Sequence, residues 1–337
     1  MKDSLLTQFN SLPDGFLECE AQDLHKIIPT PSLFHLSGRM EQPIFVSILL
    51  HGNETTGLKT IQALLKKYQD KQLPRSLSIF TGNVIAAKEG MRRLDGQPDF
   101  NRIWPGTEHV ECEESRMMEQ VVDEMVSRNL LASIDIHNNT GLNPHYACIN
   151  SLDYRYLNLA NLFSRLVVYF LRPTGVQSAA FAKYCPAVTL ECGKPGHEYG
   201  AEHAFQYLDA CLHLQELPDH ETNPGDIDLF HTVAQITIDE NIDFSFDGIA
   251  TDLNLDSKLD HMNFTEIEEG AIWGQLSDNE TMPLIAKDES GEDVTDQYFS
   301  NQNGNLVSTK TIMPSMLTLD EKIVRQDCLC YLMERMK

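Results

Sequence analysis

The chain has 337 residues, 42% of them hydrophobic and 23% charged, enough to bury a large core and to build two domains. Its 50 acids against 26 bases leave a formal charge of −24, which excludes a nucleic-acid surface built on clustered Lys and Arg and disfavours binding to anionic membranes. No apolar run nears the roughly 20 residues that cross a bilayer, and the start, MKDSLLTQFN, lacks the basic-then-apolar pattern of a signal peptide. A cytoplasmic location is expected. The eight cysteines are scattered without a C-x-x-C pair, so they read as reduced thiols rather than a zinc ribbon or a thioredoxin-type site.

In chain order, Pro43–Leu50 (PIFVSILL) is a continuous apolar run, the signature of a strand covered on both faces. It ends at His51-Gly52-Asn53-Glu54, after which Leu58, Ile61, Leu64 and Leu65 recur with helical spacing. A strand is predicted over Ser76–Thr81, a helix over Glu113–Arg128 and a strand over Ala132–His137. A helix over Tyr154–Leu166 follows, then strands over Val167–Leu171 and Ala187–Glu191. The next helix, His197–Leu214, carries Ala201, Phe205, Leu208 and Leu212 as its apolar stripe. Strands alternating with helices predict an α/β fold, a mainly parallel sheet with helices on both faces.

Leu217–Asp226 (LPDHETNPGD) reads as a linker. Beyond it, His231–Asp239 alternates like a strand, glycines punctuate short extended segments, and a closing helix is predicted around Leu319–Met336, where Cys328-x-Cys330 has no special role. Residues 1–220 are therefore expected to form a catalytic domain, and residues 221–337 a smaller β-rich domain that caps the cleft.

His51 and Glu54 lie at a strand-to-helix turn, and His137 ends a later strand. Ligand sites in open α/β sheets gather at the carboxyl ends of strands. Two imidazoles and a carboxylate make a catalytic type of zinc site with a fourth position left for water. Gly52 would let the turn between them close sharply. On spacing alone, His-x-x-Glu reads equally as a satisfied loop histidine and a helix-starting glutamate.

The stretch HGNETTG (His51–Gly57) resembles the metal motif of the succinylglutamate desuccinylase and aspartoacylase family, relatives of the zinc carboxypeptidases. Three more likenesses follow in order. DFNR (Asp99–Arg102) resembles the family's substrate-binding segment, DIHNNT (Asp135–Thr140) its third-ligand strand, and LECGKPG (Leu190–Gly196) the segment with its general base. The resemblance spans roughly residues 43–200. It implies a zinc carboxypeptidase-like mixed sheet and one Zn2+ per chain held by His51, Glu54 and His137, with Glu191 as general base. It further implies that Asn101 and Arg102 hold a small-molecule carboxylate substrate, and that an upstream arginine stabilises the oxyanion. That arginine is Arg92 or Arg93, because the interval to Asn101 is one residue longer than the family pattern; Arg93 is preferred. Asp135 reads equally as an acceptor behind His137 and as a buried structural carboxylate.

The implied activity is hydrolysis of the amide bond of an N-acyl amino acid. A carboxypeptidase acting on peptide C-termini and a catalytically silent ligand-binding relative are the alternatives. Aspartoacylases carry a further arginine before the general base for a second substrate carboxylate. Ala179-Ala180-Phe181 stands there in this chain, which argues against N-acetylaspartate unless Arg172 or Lys183 substitutes. His145, Tyr146, His197, Glu198 and His203 are expected to be packing or surface groups. Assembly into homo-oligomers is neither required nor excluded.

Overall fold

The computed structural model describes residues 6–223, 225–249, 251–277 and 282–336. The first five residues and Pro224, inside the expected linker, lie outside them. The chain divides into two compact units. The first comprises the residues up to Asn138, His145–Tyr169 and Pro173–Asp228; the second comprises Asn139–Pro144, Phe170–Arg172 and the residues from Leu229 onward.

Among its described residues the first unit holds eight strands: β1 (Thr7–Phe9), β2 (Ser32–Leu36), β3 (Gly38–Ile48), β4 (Leu73–Thr81), β5 (Ala132–His137), β6 (Tyr146–Ile149), β7 (Leu166–Tyr169) and β8 (Ala187–Glu191). They lie in the order β1-β2-β4-β3-β5-β8-β6-β7. The four central strands β4, β3, β5 and β8 are mutually parallel, whereas β2 and β6 run antiparallel to β4 and β8. This is the mixed, mainly parallel sheet that the alternation of elements predicts.

Among the described residues of this unit the α-helices are α1 (Thr56–Lys67), α2 (Val84–Lys88), α3 (Glu113–Ser127), α4 (Tyr154–Asn161), α5 (Gln177–Phe181) and α6 (Glu198–His213). They cover both faces. Helix α1 lies so close to the sheet that a Cβ at Gly57 would sit 2.8 Å from Ile48 and 3.4 Å from Ile136. Helix α5 reaches the opposite face, where the Gln177 amide donates to Ser133 Oγ at 2.7 Å. Successive residues of a strand point to opposite faces, so Ser133, Asp135 and His137 share the α5 face.

The ends of β5 and β8 fall where the sequence places them. Strand β3 differs: it begins at Gly38, five residues before the apolar run, and ends at Ile48 rather than Leu50. Its first half alternates between half-buried and exposed residues, so the run marked only the buried half. At its end Leu49 takes φ 54°, a conformation that costs a leucine about 1 kcal/mol and turns the chain toward His51. In α6 the buried side is Ala204, Tyr207, Leu208, Cys211 and Leu212; Ala201 and Phe205, expected on it, are only half-buried.

The second unit is β-rich. Strand β9 (Asp228–Ile238), which starts at the unit boundary, alternates in burial along its length and pairs antiparallel with β13 (Leu284–Lys287) and β17 (Cys330–Arg335); β17 pairs in turn with β16 (Met313–Ser315). A separate sheet runs β10 (Phe244–Ser245), β11 (Leu253–Leu255), β12 (Ile272–Leu276), β15 (Asn305–Ser308) and β14 (Phe299–Gln302), antiparallel except at β10–β11. Its core centres on Trp273, whose ring meets Phe299 edge-on at 5.1 Å.

The closing helix expected around Leu319–Met336 is in its second half a strand. Only Glu321–Gln326 is helical, and Cys330–Arg335 forms β17, with Cys330 to Met333 all buried. A short apolar run covered on both faces has no alternation, so its periodicity does not distinguish strand from helix. The two short excursions of earlier sequence are tied inside this unit: Met316 N donates to Asn143 Oδ1 at 2.9 Å, and Arg172 Nε to the Glu289 carbonyl at 2.7 Å.

Candidate metal centre and active site

Three adjacent parallel strands deliver the site. His51 follows β3, His137 ends β5 and Glu191 ends β8, all at carboxyl ends, as the crevice rule for open α/β sheets requires. His51, Glu54 and His137 are buried and present one ligand atom each within 4.8 Å of one another, the only such group among the described residues. Glu54 stands between the rings, with Oε1 2.7 Å from His51 Nδ1 and Oε2 2.7 Å from His137 Nδ1.

The outward nitrogens of both rings face carboxylates. His51 Nε2 lies 3.0 Å from Asp99 Oδ1, and His137 Nε2 lies 2.6 Å from Asp135 Oδ2. Each Nε2–H therefore has an acceptor, which aims Nδ1 inward at Glu54, where loss of its proton would free a lone pair for a metal, the arrangement that orients metal-ligating histidines. Two imidazoles and one carboxylate so disposed fit a divalent ion of the zinc type.

The open question about Asp135 is answered by this contact together with the Ser47 hydroxyl, which donates to its other oxygen at 2.6 Å. It is a fully buried acceptor behind His137. Asp99, the first residue of the DFNR segment, plays the corresponding part behind His51 and was not assigned from sequence. The Asn101 backbone N–H also donates to it, at 2.8 Å.

Electrostatics follow this wiring. Burial works to raise the Glu54 pKa, but the two imidazoles outweigh it and hold the group well below the usual carboxylate range. Burial likewise opposes ionisation of Asp99, and Arg92 and His51 overcome it. His137 is pushed well above its ordinary value: burial works against this, and the Asp135 and Glu54 carboxylates prevail.

Gly52 is needed for room, not for a left-handed turn. A Cβ there would sit 2.1 Å from Ala87 N and 2.3 Å from Ala86 C, in the backbone of α2. Its N–H donates to the Arg92 carbonyl at 3.0 Å, which ties the arginine pair to the metal turn. Of that pair, Arg92 is the one at the site: its Nη1 is 3.6 Å from Glu54 Oε1, and its Nε and Nη2 bond Asp99 Oδ2 at 3.2 and 3.0 Å. Arg93, preferred from sequence, turns its Nη1 to the Gln97 carbonyl at 2.8 Å.

Asn101 is buried beside His137, its Nδ2 3.1 Å from the ring Nε2. Arg102 is half-buried next to Asp99 and bonds its neighbour's carbonyl through Nη1 at 2.9 Å. Glu191 is buried and lies directly across the β5–β8 ladder from His137, on the same face. Cys192 N–H donates to the His137 carbonyl at 3.0 Å, and Asn138 Nδ2 to the Gly193 carbonyl at 2.8 Å, so the two strand ends are laced together. Helix α5 carries no basic residue, Lys183 is exposed and Arg172 belongs to the second unit. His203 is spent on the Phe163 carbonyl at 2.7 Å, and His145 stacks on Tyr199; neither joins the metal group.

A mainly parallel sheet that presents two imidazoles, a carboxylate and a further buried glutamate at neighbouring strand ends defines an α/β protein with a buried residue group that fits a metal ion. The model of the succinylglutamate desuccinylase/aspartoacylase catalytic domain matches residues 44–216, just over half of the chain. The protein belongs to that family of metal-dependent deacylases.

Solved structures share the fold. The succinylglutamate desuccinylase of Vibrio parahaemolyticus is 14% identical with a TM-score of 0.62, and 97% of each chain is covered. That of Chromobacterium violaceum is 18% identical with a TM-score of 0.59, over 89% of this chain and 86% of its own. Murine aminoacylase 3 is 14% identical with a TM-score of 0.57, over 89% and 97%. No significant match to a curated protein was found. Among the described residues no helix is long and apolar enough to cross a membrane.

Proposed function

We propose that the protein is a zinc-dependent deacylase that hydrolyses the amide bond of an N-acyl amino acid. The observation that carries this reading is the meeting of His51, Glu54 and His137 with Glu191 one strand away. His51, Glu54 and His137 would hold one zinc ion per chain. When bound, the ion supplies Lewis acidity, which polarises the scissile carbonyl and makes water nucleophilic near neutral pH.

The remaining work falls to the chain's own side chains. Glu191 takes the proton from the attacking water and passes it to the departing amine. Asn101 and Arg102 hold the carboxylate of the substrate, a fixed amide donor beside a guanidinium fork. Arg92 supplies positive charge for the oxyanion. The 3.6 Å approach of its Nη1 to Glu54 Oε1 supports this assignment over Arg93. The amino acid released has a neutral side chain, because α5 offers Ala179 where a second carboxylate would need a cation.

The test is a hydrolysis screen of the zinc-loaded protein against N-acetyl and N-succinyl derivatives of varied amino acids, with dipeptides and longer peptides alongside. Turnover of neutral N-acyl amino acids that is abolished by Glu191→Gln is the expected outcome. Preference for long peptides would favour a carboxypeptidase, and no turnover of any substrate would favour a ligand-binding protein.

A further inference from the structure

We propose that Gln177 is a positioning residue that sets which end of the Asn101 amide faces the substrate. The proposal rests on the reading of Asn101 as a carboxylate-binding group. An asparagine amide is nearly symmetric in shape, and rotation by half a turn exchanges its acceptor and donor ends. At Asn101 that choice is made from behind. Oδ1 accepts the backbone N–H of Gln177 at 2.9 Å, and both residues are buried. A peptide N–H can only donate, so the flipped amide would set donor against donor in a place closed to water.

The front end is set by the same contact. Asn101 Nδ2 lies 3.1 Å from His137 Nε2, yet the hydrogen on that nitrogen goes to Asp135 Oδ2 at 2.6 Å. The ring nitrogen therefore has no lone pair for Asn101, and the Nδ2 hydrogens are left for an oxygen entering the site. A substrate carboxylate is such an acceptor.

What fixes residue 177 is its own side chain. Gln177 opens α5, and its Nε2 donates to Ser133 Oγ at 2.7 Å, with both residues fully out of solvent. Ser133 lies on β5, two and four residues before Asp135 and His137 on the same face. The Asn101 donor is thus registered to the strand that carries the third metal ligand. Positional precision of this kind matters in a site that must hold substrate to a fraction of an ångström.

The same glutamine is a poor choice for stability alone. Its Oε1 is buried and accepts no hydrogen bond among the described residues, a cost that an apolar side chain of similar volume would not carry. Gln177→Met is therefore expected to fold, which makes it a usable probe.

The experiment uses the full zinc-loaded chain and the N-acetyl amino acid that the wild type hydrolyses fastest. Gln177→Met is expected to raise KM about tenfold, the scale of one weakened hydrogen bond to a charged group, and to change kcat by less than about twofold. In an Asn101→Ala background the same substitution is expected to add less than about a further twofold, because the residue it acts through is gone. A KM unchanged in Gln177→Met, or effects that multiply in the double variant, would overturn the proposal.

A second readout does not need turnover. In NMR spectra of the protein, the Asn101 side-chain NH2 pair, assigned by its loss in Asn101→Asp, is expected to be single in the wild type. In Gln177→Met it is expected to be doubled or broadened. An unchanged pair sinks the proposal. Failure of the wild type to hydrolyse any substrate sinks the deacylase reading and leaves this spectral test to decide the role of Gln177.

Discussion

Replacing Asp135 by asparagine probes how the protein prepares His137 for metal. Asp135 is fully buried, takes the His137 Nε2–H at 2.6 Å and the Ser47 hydroxyl at 2.6 Å. The amide has the same shape. Its oxygen can still accept from His137, and its NH2 can meet Ser47 Oγ once that hydroxyl rotates, so the fold should persist. The negative charge that strengthens Nδ1 as a ligand is lost. Removing such a partner typically lowers metal affinity about 10–100-fold, which corresponds to roughly 1.4–2.8 kcal/mol.

The assay is competition for zinc with a chromophoric chelator, with the urea midpoint of the metal-free protein as the control for folding. Asp99→Asn should fall at the lower end of the range, because that carboxylate is partly exposed and already neutralised by Arg92. An Asp135→Asn protein with intact fold and wild-type zinc affinity would refute the reasoning, since His137 could not then be held as described.

Three other outcomes can be checked with simple measurements. Gly52→Ala should cost about 2 kcal/mol in urea unfolding and abolish tight zinc binding, because its methyl would press on the α2 backbone at 2.1 Å; full affinity would contradict the packing. Burial, with help from Arg128, lowers the His35 pKa against the pull of Glu124. A histidine kept neutral in the fold adds stability that is complete above its ordinary value and is lost as pH falls below it. The wild type should therefore lose more stability than His35→Gln between about pH 6.5 and pH 5, and parallel curves would refute this. Burial pushes the Cys185 and Cys211 thiols up to about 12 and those of Cys148, Cys192 and Cys330 well above their ordinary value. Only Cys19 and Cys112 are half-buried, so no more than these two should react promptly with a disulfide reagent in the native protein.

What could be read in advance depended on whether the signal was local. Strands β5 and β8 were legible to the residue because each is a short apolar run ending in a polar ligand or base, and a change of composition marks the end. The first half of β3 was not, because Gly38–Gln42 alternates polar and half-buried residues without an apolar run. Strand β17 was mistaken for helix for the opposite reason, since burial on both faces removes the alternation that identifies strands.

The same division holds at the site. His51, Glu54 and His137 stand at strand ends in recognisable motifs. The contacts that tune them join residues far apart: Asp99 reaches His51 across 48 positions and Gln177 reaches Asn101 across 76. No local pattern encodes such a pairing. The Arg92 and Arg93 choice was open because the interval to Asn101 is one residue longer than the family pattern, and spacing does not give the direction of a side chain, which the 3.0 Å bond from Arg92 Nη2 to Asp99 supplies.

The proposed reaction requires a single divalent ion held by nitrogen and oxygen alone. X-ray absorption at the zinc edge of the stoichiometrically loaded protein tests this directly. Two imidazole nitrogens at about 2.0–2.1 Å with oxygen completing the shell are expected. A sulfur neighbour at about 2.3 Å, or failure to take up one equivalent of zinc, would contradict it.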